Sequence, residues 1–286
     1  MANRLSFLSQ TYDLHLLLED VRTCDYFSTL FNAESSIVQM VSVGGADGVN
    51  GLVTISWGRD SLPSEHAFGW VDRDYGRDNV ISWSNPETHV FRGKRHEIEN
   101  YLLDWTALAH CNLAIRYKKT NVHYRDLAHN IAKEILYQVV CEDVLYEFQS
   151  DYTEGFPCSP ANARPRCDVE NRQDLERYLL NHDWFHSGAT RAINLFSEEA
   201  LRKRIDLAEQ RYRDALASTN DEWRIIFPGK QIFERLKTDV YCGGRKEGGT
   251  IAFSDLVKSI ATYQAENAVP EELKMFMDEL KKKRVA

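Results

Sequence analysis

Residues 14–19 read Leu-His-Leu-Leu-Leu-Glu, an apolar run that ends in a carboxylate. A second run, Ala67–Val71, ends in the same way at Asp72-Arg73-Asp74. Short apolar runs bounded by polar residues are typical of strands buried on both faces of a sheet. Ligands bind at the carboxyl ends of strands in open α/β sheets. We therefore expect Glu19, Asp72 and Asp74 to lie together on the rim of one sheet.

The residues around these two runs predict strands that alternate with helices. The sequence pattern predicts a helix, a strand, a glycine-rich turn and a short helix, in that order, over Arg22–Phe31, Ser36–Val43, 44–48 and Val49–Trp57. Further short strands are expected at Val80–Trp83 and His89–Phe91. Such alternation predicts an α/β fold with a Rossmann-like, mostly parallel sheet flanked by helices.

From about residue 118 onward the pattern is helical. One long helix is expected over Tyr124–Phe148, followed by a proline-containing loop over 150–168. Further helices are expected at Arg172–His182, Glu198–Leu216, Lys230–Lys237 and from Pro270 into the basic run 281–284. The sequence thus predicts an α/β catalytic domain over residues 1–115 and a mainly helical domain over 116–286. The second domain is expected to bind a partner or a substrate.

Composition excludes some classes of protein. The chain has 286 residues, 43% of them hydrophobic, which is enough to bury a core, and a net charge of −8 argues against a uniformly basic nucleic-acid binder. No apolar stretch approaches the roughly 20 residues of a transmembrane helix, and the first ten residues lack the apolar core of a secretory signal. The six cysteines form no C-x-x-C pair. We expect reduced thiols in a cytoplasmic protein without membrane association.

The rim carboxylates suit a hard divalent cation. Mg²⁺ prefers oxygen ligands and is commonly shared with substrate phosphates, so Glu19, Asp72 and Asp74 are candidate ligands. The alternative is that an Asp-x-Asp pair is simply a solvated loop. Glu97 and Glu99 follow the last predicted strand and could act as a metal ligand, a general base or a supporting residue. Their alternative is a helix N-terminus enriched in acidic residues.

Several cations are candidates for holding substrate phosphates. Arg92, Lys94 and Arg95 precede the acidic segment, Arg73 separates the two aspartates, and Lys230 follows Pro228-Gly229. A solvated loop is the alternative for the cluster at 92–95. Two histidines, His182 and His186, have helical spacing but lack the glutamate of a zinc-protease motif, so packing or exposure is favoured. The turn at 44–48 lacks the lysine of a phosphate-binding loop.

In order along the chain stand a strand ending in Glu19, a strand ending in Gly-Gly, a strand ending in Asp72-Arg73-Asp74, and the segment His-Glu-Ile-Glu-Asn-Tyr-Leu-Leu at 96–103. This order resembles the Toprim-like domains of bacterial defence nucleases, including those of the overcoming-lysogenization-defect type. The resemblance extends to the AriB-type effectors that accompany an ABC-type ATPase in the PARIS antiphage system. It covers roughly residues 12–110, with a looser match at 228–230. One departure is Glu19-Asp20, where Toprim domains usually have Glu-Gly.

The resemblance implies a metal-dependent endonuclease. Glu19, Asp72 and Asp74 would bind Mg²⁺ or Mn²⁺ for phosphodiester hydrolysis, with Glu97 as a further ligand and Glu99 implicated in catalysis. It implies a toxic effector of abortive antiphage defence that cleaves nucleic acid, tRNA in particular. An ABC-type ATPase would restrain the effector, which would act as a homodimer once released. The alternative is a catalytically degenerate Toprim fold that serves as a binding or regulatory subunit, which the missing glycine favours.

Overall fold

The central sheet consists of parallel strands, as the sequence predicted. The structure is a computed structural model that describes residues 12–58, 66–75, 89–111, 119–151, 169–182, 185, 197–241 and 253–283. The strands of the described sheet are β1 (Leu14–Leu18), β2 (Val38–Ser42), β3 (Phe68–Val71) and β4 (Val90–Arg92). They lie in the order β2-β1-β3-β4, and every neighbouring pair is parallel. The predicted α/β fold class is therefore confirmed.

Helices account for most of the remaining described residues. Those beside the sheet in the first half of the chain are α1 (Val21–Leu30), α2 (Ala46–Ser56), α3 (Glu99–Leu102) and α4 (Trp105–His110). The middle of the chain forms α5 (Asn121–Glu134), α6 (Leu136–Asp151), α7 (Arg172–Leu180), α8 (Glu198–Ala217) and α9 (Trp223–Ile226). The last part forms α10 (Gly229–Tyr241), α11 (Phe253–Asn267) and α12 (Glu271–Lys283). Within the described residues, every helix is too short or too polar to traverse a lipid bilayer.

One face of the sheet is covered by α2. Leu17 and Val71 pack there against Val49 and Val53 of the helix. Gly69 of β3 permits this close approach, because a Cβ atom at that position would lie 2.3 Å from Cγ1 of Val49. Apolar packing of this kind is the main free-energy term that holds a helix on a sheet.

The opposite face is covered by α1 and by α12, which comes from the end of the described chain. Phe276 of α12 is fully buried, and its ring centroid lies 4.7 Å from that of Trp70 and 5.0 Å from that of Phe91. Phe27 of α1 joins the same cluster, 5.3 Å from Trp70. Aromatic pairs in tilted and edge-on arrangements at these distances are favourable beyond the area they bury.

A buried glutamine links four helices of this unit. The Tyr26 hydroxyl of α1 donates to Oε1 of Gln264 in α11 at 2.7 Å. The Gln264 amide donates in turn to the carbonyl oxygen of Tyr101 in α3 at 3.0 Å and to Asp104, the N-cap of α4, at 3.1 Å. Because Gln264 is 1% exposed, these bonds satisfy a side chain that water does not reach.

The helices of the middle region pack on their own core. Within it, α6 lies against α7 and α8. Asp143 of α6, 1% exposed, accepts a hydrogen bond from Arg211 of α8 at 2.6 Å. The guanidinium of Arg204 covers the ring of Phe148 at 4.4 Å. Buried charges of this type are paired, as their desolvation requires.

The chain divides into compact units at positions other than the predicted 115/116 boundary. One unit combines Met1–Arg125 with Gly229–Ala286, and the other is Asp126–Pro228. The sequence assigned α10, α11 and α12 to the helical domain, whereas they belong to the unit that contains the sheet. The physical reason is the packing of Phe276 and Gln264, which bury the face of the sheet that α2 leaves open.

Several predicted elements differ in detail. The expected single helix at Tyr124–Phe148 is two helices, α5 and α6, that meet at Ile135. The helix expected to begin at Val49 begins at Ala46, directly after Gly44 and Gly45, whose φ values are +88° and +99°. Helix α11 was not predicted. The strand expected at Val80–Trp83 and most of the loop expected over 150–168 lie outside the described residues.

Candidate active site

The carboxylates predicted to act together lie at the carboxyl ends of adjacent strands. Glu19 follows β1, Asp72 and Asp74 follow β3, and Glu97 and Glu99 follow β4. The connection from β1 leads to β2 on one side, whereas β3 lies on the other side of β1. The rim between β1 and β3 is therefore the switch point of the sheet, where ligands bind in open α/β folds.

Glu19 is joined to the next strand by a hydrogen bond. Its Oε1 accepts the backbone N–H of Asp72 at 2.8 Å. Its carbonyl oxygen accepts the N–H groups of Gly44 at 2.9 Å and Gly45 at 2.7 Å. These contacts fix Glu19 between the ends of β2 and β3. Burial raises the pKa of Glu19 from 4.5 to about 7, which the hydrogen bond from Asp72 partly opposes and the charge of Asp74 reinforces.

The Asp72–Asp74 turn is tied to the segment that follows β4. Asp74 adopts φ = +47°, in the left-handed region that aspartate tolerates better than most residues. Its N–H donates to the carbonyl oxygen of His96 at 2.8 Å. Burial is the main reason why the pKa of Asp72 is raised well above its usual value, with the charge of Glu19 next. Burial likewise raises the pKa of Asp74, while Arg92 opposes that change.

Glu97 and Glu99 differ in their surroundings. Glu97 Oε2 accepts the backbone N–H of Lys230 at 2.7 Å, and burial together with the charge of Glu99 raises the Glu97 pKa from 4.5 to about 8. Glu99 is the first residue of α3, is 3% exposed, and forms an ion pair with Arg22 of α1. The guanidinium of Arg22 also lies 3.9 Å from Glu234 of α10. Glu99 is thus held beside the rim by a cation.

The predicted phosphate-binding cations are divided by the structure. The charges of Arg92 and Lys230 lower the pKa of Asp74, so both lie close enough to act on the rim. Arg95 lies 4.4 Å above the ring of Tyr101 and donates to the Asn100 carbonyl oxygen at 2.8 Å, contacts that stabilise the α3 segment. Arg73 donates to the Lys94 carbonyl oxygen at 3.1 Å, and the Lys94 N–H donates to Glu272 at 2.5 Å.

A pocket of about 420 Å³ opens beside the acidic rim. Arg22 and Lys230 line it, together with Asp20, Asp25 and Ser254 and two valines. Because Arg22 and Lys230 also contact Glu99 and Glu97, the pocket is continuous with the rim. A polyanion seated on the rim would therefore meet cations in this pocket.

Two residues beside the rim were not assigned a role from the sequence. Arg22 was part of a predicted helix, and its i+3 spacing from Glu19 could have suggested a charge at the end of β1. His96 was quoted only as the start of the acidic segment. Among the described residues, one group of acidic, histidine or cysteine side chains has ligand atoms all within 4.8 Å of one another, and it comprises Asp74, His96 and Glu97. Neither Glu19 nor Asp72 belongs to that group.

The other predicted candidates stay apart from the rim or outside the description. The turn at 44–48 begins α2 and contacts Glu19 through backbone atoms alone in the bonds given above. His182 follows α7 in the helical unit, and His186 lies outside the described residues. Cys24, Cys111 and Cys141 are reduced thiols, while the remaining cysteines lie outside the described residues.

The donor set of the rim fits a divalent cation chemically. Glu19, Asp72, Asp74 and Glu97 all have raised pKa values, because each carboxylate is desolvated close to others. A cation bound among them would remove that repulsion, since an opposite charge favours the ionised form of a carboxylate. Comparisons with protein-family models, curated proteins and solved structures found no match for this chain.

Proposed function

We propose that the protein is a Mg²⁺-dependent endonuclease of the Toprim-like class. The observation that carries the proposal is the convergence of carboxylates from three neighbouring parallel strands at the switch point of the sheet. Their raised pKa values show that the rim holds more negative charge than its own cations offset. Such a rim favours binding of a hard divalent cation, which is the usual partner of phosphate substrates.

In this proposal Glu19, Asp72, Asp74 and Glu97 hold Mg²⁺ or Mn²⁺. The cation would supply Lewis acidity toward a phosphoryl oxygen and a lower pKa for a bound water. Lys230 and Arg92 neutralise phosphate charge at the rim, and the pocket lined by Arg22 and Lys230 receives the adjoining part of the polynucleotide. Glu99, held by Arg22, keeps a further carboxylate beside Asp72 and Glu97.

The biological setting is proposed on the resemblance to defence effectors. In that setting the substrate is RNA, tRNA in particular, and cleavage arrests the infected bacterium. A partner ABC-type ATPase restrains the effector until a phage is sensed, and the released effector acts as a homodimer. The net charge of −8 agrees with a nuclease that does not bind nucleic acid tightly on its own.

A second candidate function is a Toprim fold that binds or regulates without catalysis. It is favoured by the position of Glu19, whose Oε1 is engaged by the Asp72 N–H and which lies outside the group of closely spaced ligand atoms. A metal titration separates the candidates. A catalytic rim binds Mg²⁺ or Mn²⁺ and loses that binding in Asp72→Asn, whereas a degenerate one shows no binding that depends on Asp72.

The decisive experiment incubates the purified protein with total RNA and with plasmid DNA, with and without Mg²⁺. Glu19→Gln is expected to abolish cleavage and toxicity, because it removes a rim charge while keeping a side chain of similar size. Glu266→Gln is the matched control, since Glu266 is an exposed residue of α11 in the same unit. Full activity in Glu19→Gln with a native melting temperature would contradict the assignment.

A further inference from the structure

The rim contains a buried imidazole among its carboxylates. His96 is 4% exposed, and its Nδ1 lies 3.9 Å from Oε1 of Glu97. Ligand atoms of Asp74, His96 and Glu97 all lie within 4.8 Å of one another. The group therefore combines one nitrogen donor with two carboxylate donors, a composition that differs from the all-carboxylate set of Glu19 and Asp72.

These separations are close to those of an assembled metal site. Ligand atoms bound to a first-row transition ion at about 2.0–2.2 Å lie at most about 4.4 Å apart. The group spans 4.8 Å, so shifts of a few tenths of an ångström per side chain would complete it. Glu97 and Asp74 have the rotational freedom for such shifts, because their carboxylates lie at the rim.

Each member of the group is oriented by a contact from outside it. Lys230 donates its N–H to Glu97 Oε2 at 2.7 Å, which leaves Oε1 directed at His96. The ring of Tyr75 meets the imidazole edge-on, with centroids 4.6 Å apart and an interplanar angle of 86°. Asp74 is fixed by its backbone bond to the His96 carbonyl oxygen. Such supporting contacts set the direction of ligands and are as important to affinity as the ligands themselves.

Donor type selects the metal. Imidazole suits Mn, Fe, Zn and similar ions, whereas Mg²⁺ prefers oxygen ligands and dehydrates reluctantly. We propose that Asp74, His96 and Glu97 form a mixed nitrogen–oxygen site that selects a first-row transition cation, with Mn²⁺ bound ahead of Mg²⁺. The inference rests on the proposed function in one respect, since both use Asp74 and Glu97 as cation ligands. The competing explanation of the geometry is an ion pair between protonated His96 and Glu97.

Pulsed electron paramagnetic resonance of the Mn²⁺-loaded wild-type protein tests the site directly. Electron spin echo envelope modulation detects the ¹⁴N coupling of an imidazole bound to the ion, and we expect that coupling to be present. It should disappear in His96→Gln and persist in His110→Gln, because His110 is an exposed residue of α4 in the same unit. Bound Mn²⁺ without ¹⁴N coupling in the wild-type protein overturns the inference and needs no variant to fold.

Calorimetric titration gives the second readout. The wild-type protein is expected to bind Mn²⁺ at least about tenfold more tightly than Mg²⁺, and His96→Gln to reduce that ratio by about tenfold. Mg²⁺ affinity should change by less than about twofold, since oxygen ligands remain. An equal loss of affinity for both ions would show that His96 acts only in folding, and would overturn the inference.

The inference and the proposed function fail in different ways. If Glu19→Gln abolishes cleavage while His96→Gln leaves the Mn²⁺/Mg²⁺ ratio unchanged, the nuclease assignment stands and the mixed site is rejected. If the ¹⁴N coupling is present while neither RNA nor DNA is cleaved, the mixed site stands and the nuclease assignment is rejected.

Discussion

Asp20 explains how the chain does without the glycine that Toprim domains usually place after their glutamate. Its backbone is extended, with φ = −140° and ψ = 171°, a conformation open to every residue. Its Oδ1 accepts the N–H of Thr23 at 2.7 Å and so caps α1. The departure from Glu-Gly therefore needs no distortion at Glu19, and it weakens the argument for a degenerate site.

This yields a prediction for position 20. Asp20→Gly should retain the wild-type rate of cleavage and cost only a few tenths of a kcal/mol, because glycine is a tolerated cap. Asp20→Ala should cost about 1 kcal/mol, since alanine cannot accept the Thr23 N–H. Urea denaturation and a cleavage assay measure the two effects. A large gain of activity in Asp20→Gly would mean that Asp20 itself suppresses the site.

The pKa values of Glu19 and Glu97 predict how stability depends on pH. Both are raised from 4.5 in the folded protein, to about 7 and about 8, so the folded state holds extra protons between these values. Without a divalent cation, stability should fall as the pH rises from about 5 to about 8. Each kcal/mol lost should lower Tm by about 2–4 °C.

The control for this effect is the Glu19→Gln/Glu97→Gln double variant, in which neither side chain ionises. Its Tm should change less between these pH values than that of the wild-type protein in the same chelating buffer. Added Mg²⁺ or Mn²⁺ should raise the wild-type Tm most at the alkaline end, because protons and the cation compete for the same carboxylates. An equal fall in both proteins would assign the pH effect to other groups.

The carboxylates could be predicted from sequence because strand ends in a parallel sheet converge. Glu19, Asp72 and Asp74 each follow an apolar run, and the rim brings them together. Arg22 and His96 carry no such signal, since one lies in a helix and the other in a loop. Their positions depend on how α1 and the 93–98 segment pack, which no local pattern encodes.

At the scale of elements, α10 connects the end of the chain to the rim. Gly229 begins the helix against α3, and a Cβ atom there would lie 2.5 Å from the Asn100 nitrogen and 2.6 Å from its Oδ1. The next residue bonds to Glu97, and Glu234 lies near Arg22. The sequence identified the Pro-Gly-Lys segment but not its contact, because the match between a glycine and a distant backbone is a tertiary property.

Gly229→Ala should therefore displace α10 and cost about 1–3 kcal/mol, the usual cost of overpacking. Gly51→Ala is the matched control, since that glycine lies inside α2 with open space around it and should be stabilised by about 0.5–1 kcal/mol. Chemical denaturation gives both values. Cation affinity should fall with Gly229→Ala alone, because Lys230 orients Glu97. Unchanged affinity would mean that α10 does not support the rim.

At the scale of the molecule, the sheet and its covering helices are separated along the chain by the unit Asp126–Pro228. Helical patterning predicted α12, but nothing in its sequence distinguishes packing on the sheet from packing on the helical region. That assignment depends on the aromatic cluster around Phe276, which forms only when residues far apart in sequence meet. The predicted domain boundary differed for this reason.

Phe276→Ala should destabilise the unit that contains the sheet by about 3–5 kcal/mol, because it leaves a cavity beside Trp70 and Phe91. Met275→Ala should change stability by no more than about 0.5 kcal/mol, since Met275 is 49% exposed on the neighbouring face of α12. Thermal denaturation with tryptophan fluorescence reports the difference. Equal effects of the two substitutions would show that α12 contributes little to the core.

The split unit also bears on when the protein becomes dangerous to the cell that makes it. A ribosome that has translated only as far as Pro228 has produced every rim carboxylate, but neither Lys230 nor the helix that covers Trp70. The nascent chain then carries an exposed aromatic face and an incomplete rim. Aborted translation products would accordingly be substrates for proteolysis before they could become toxic, so the order of synthesis itself is a safeguard.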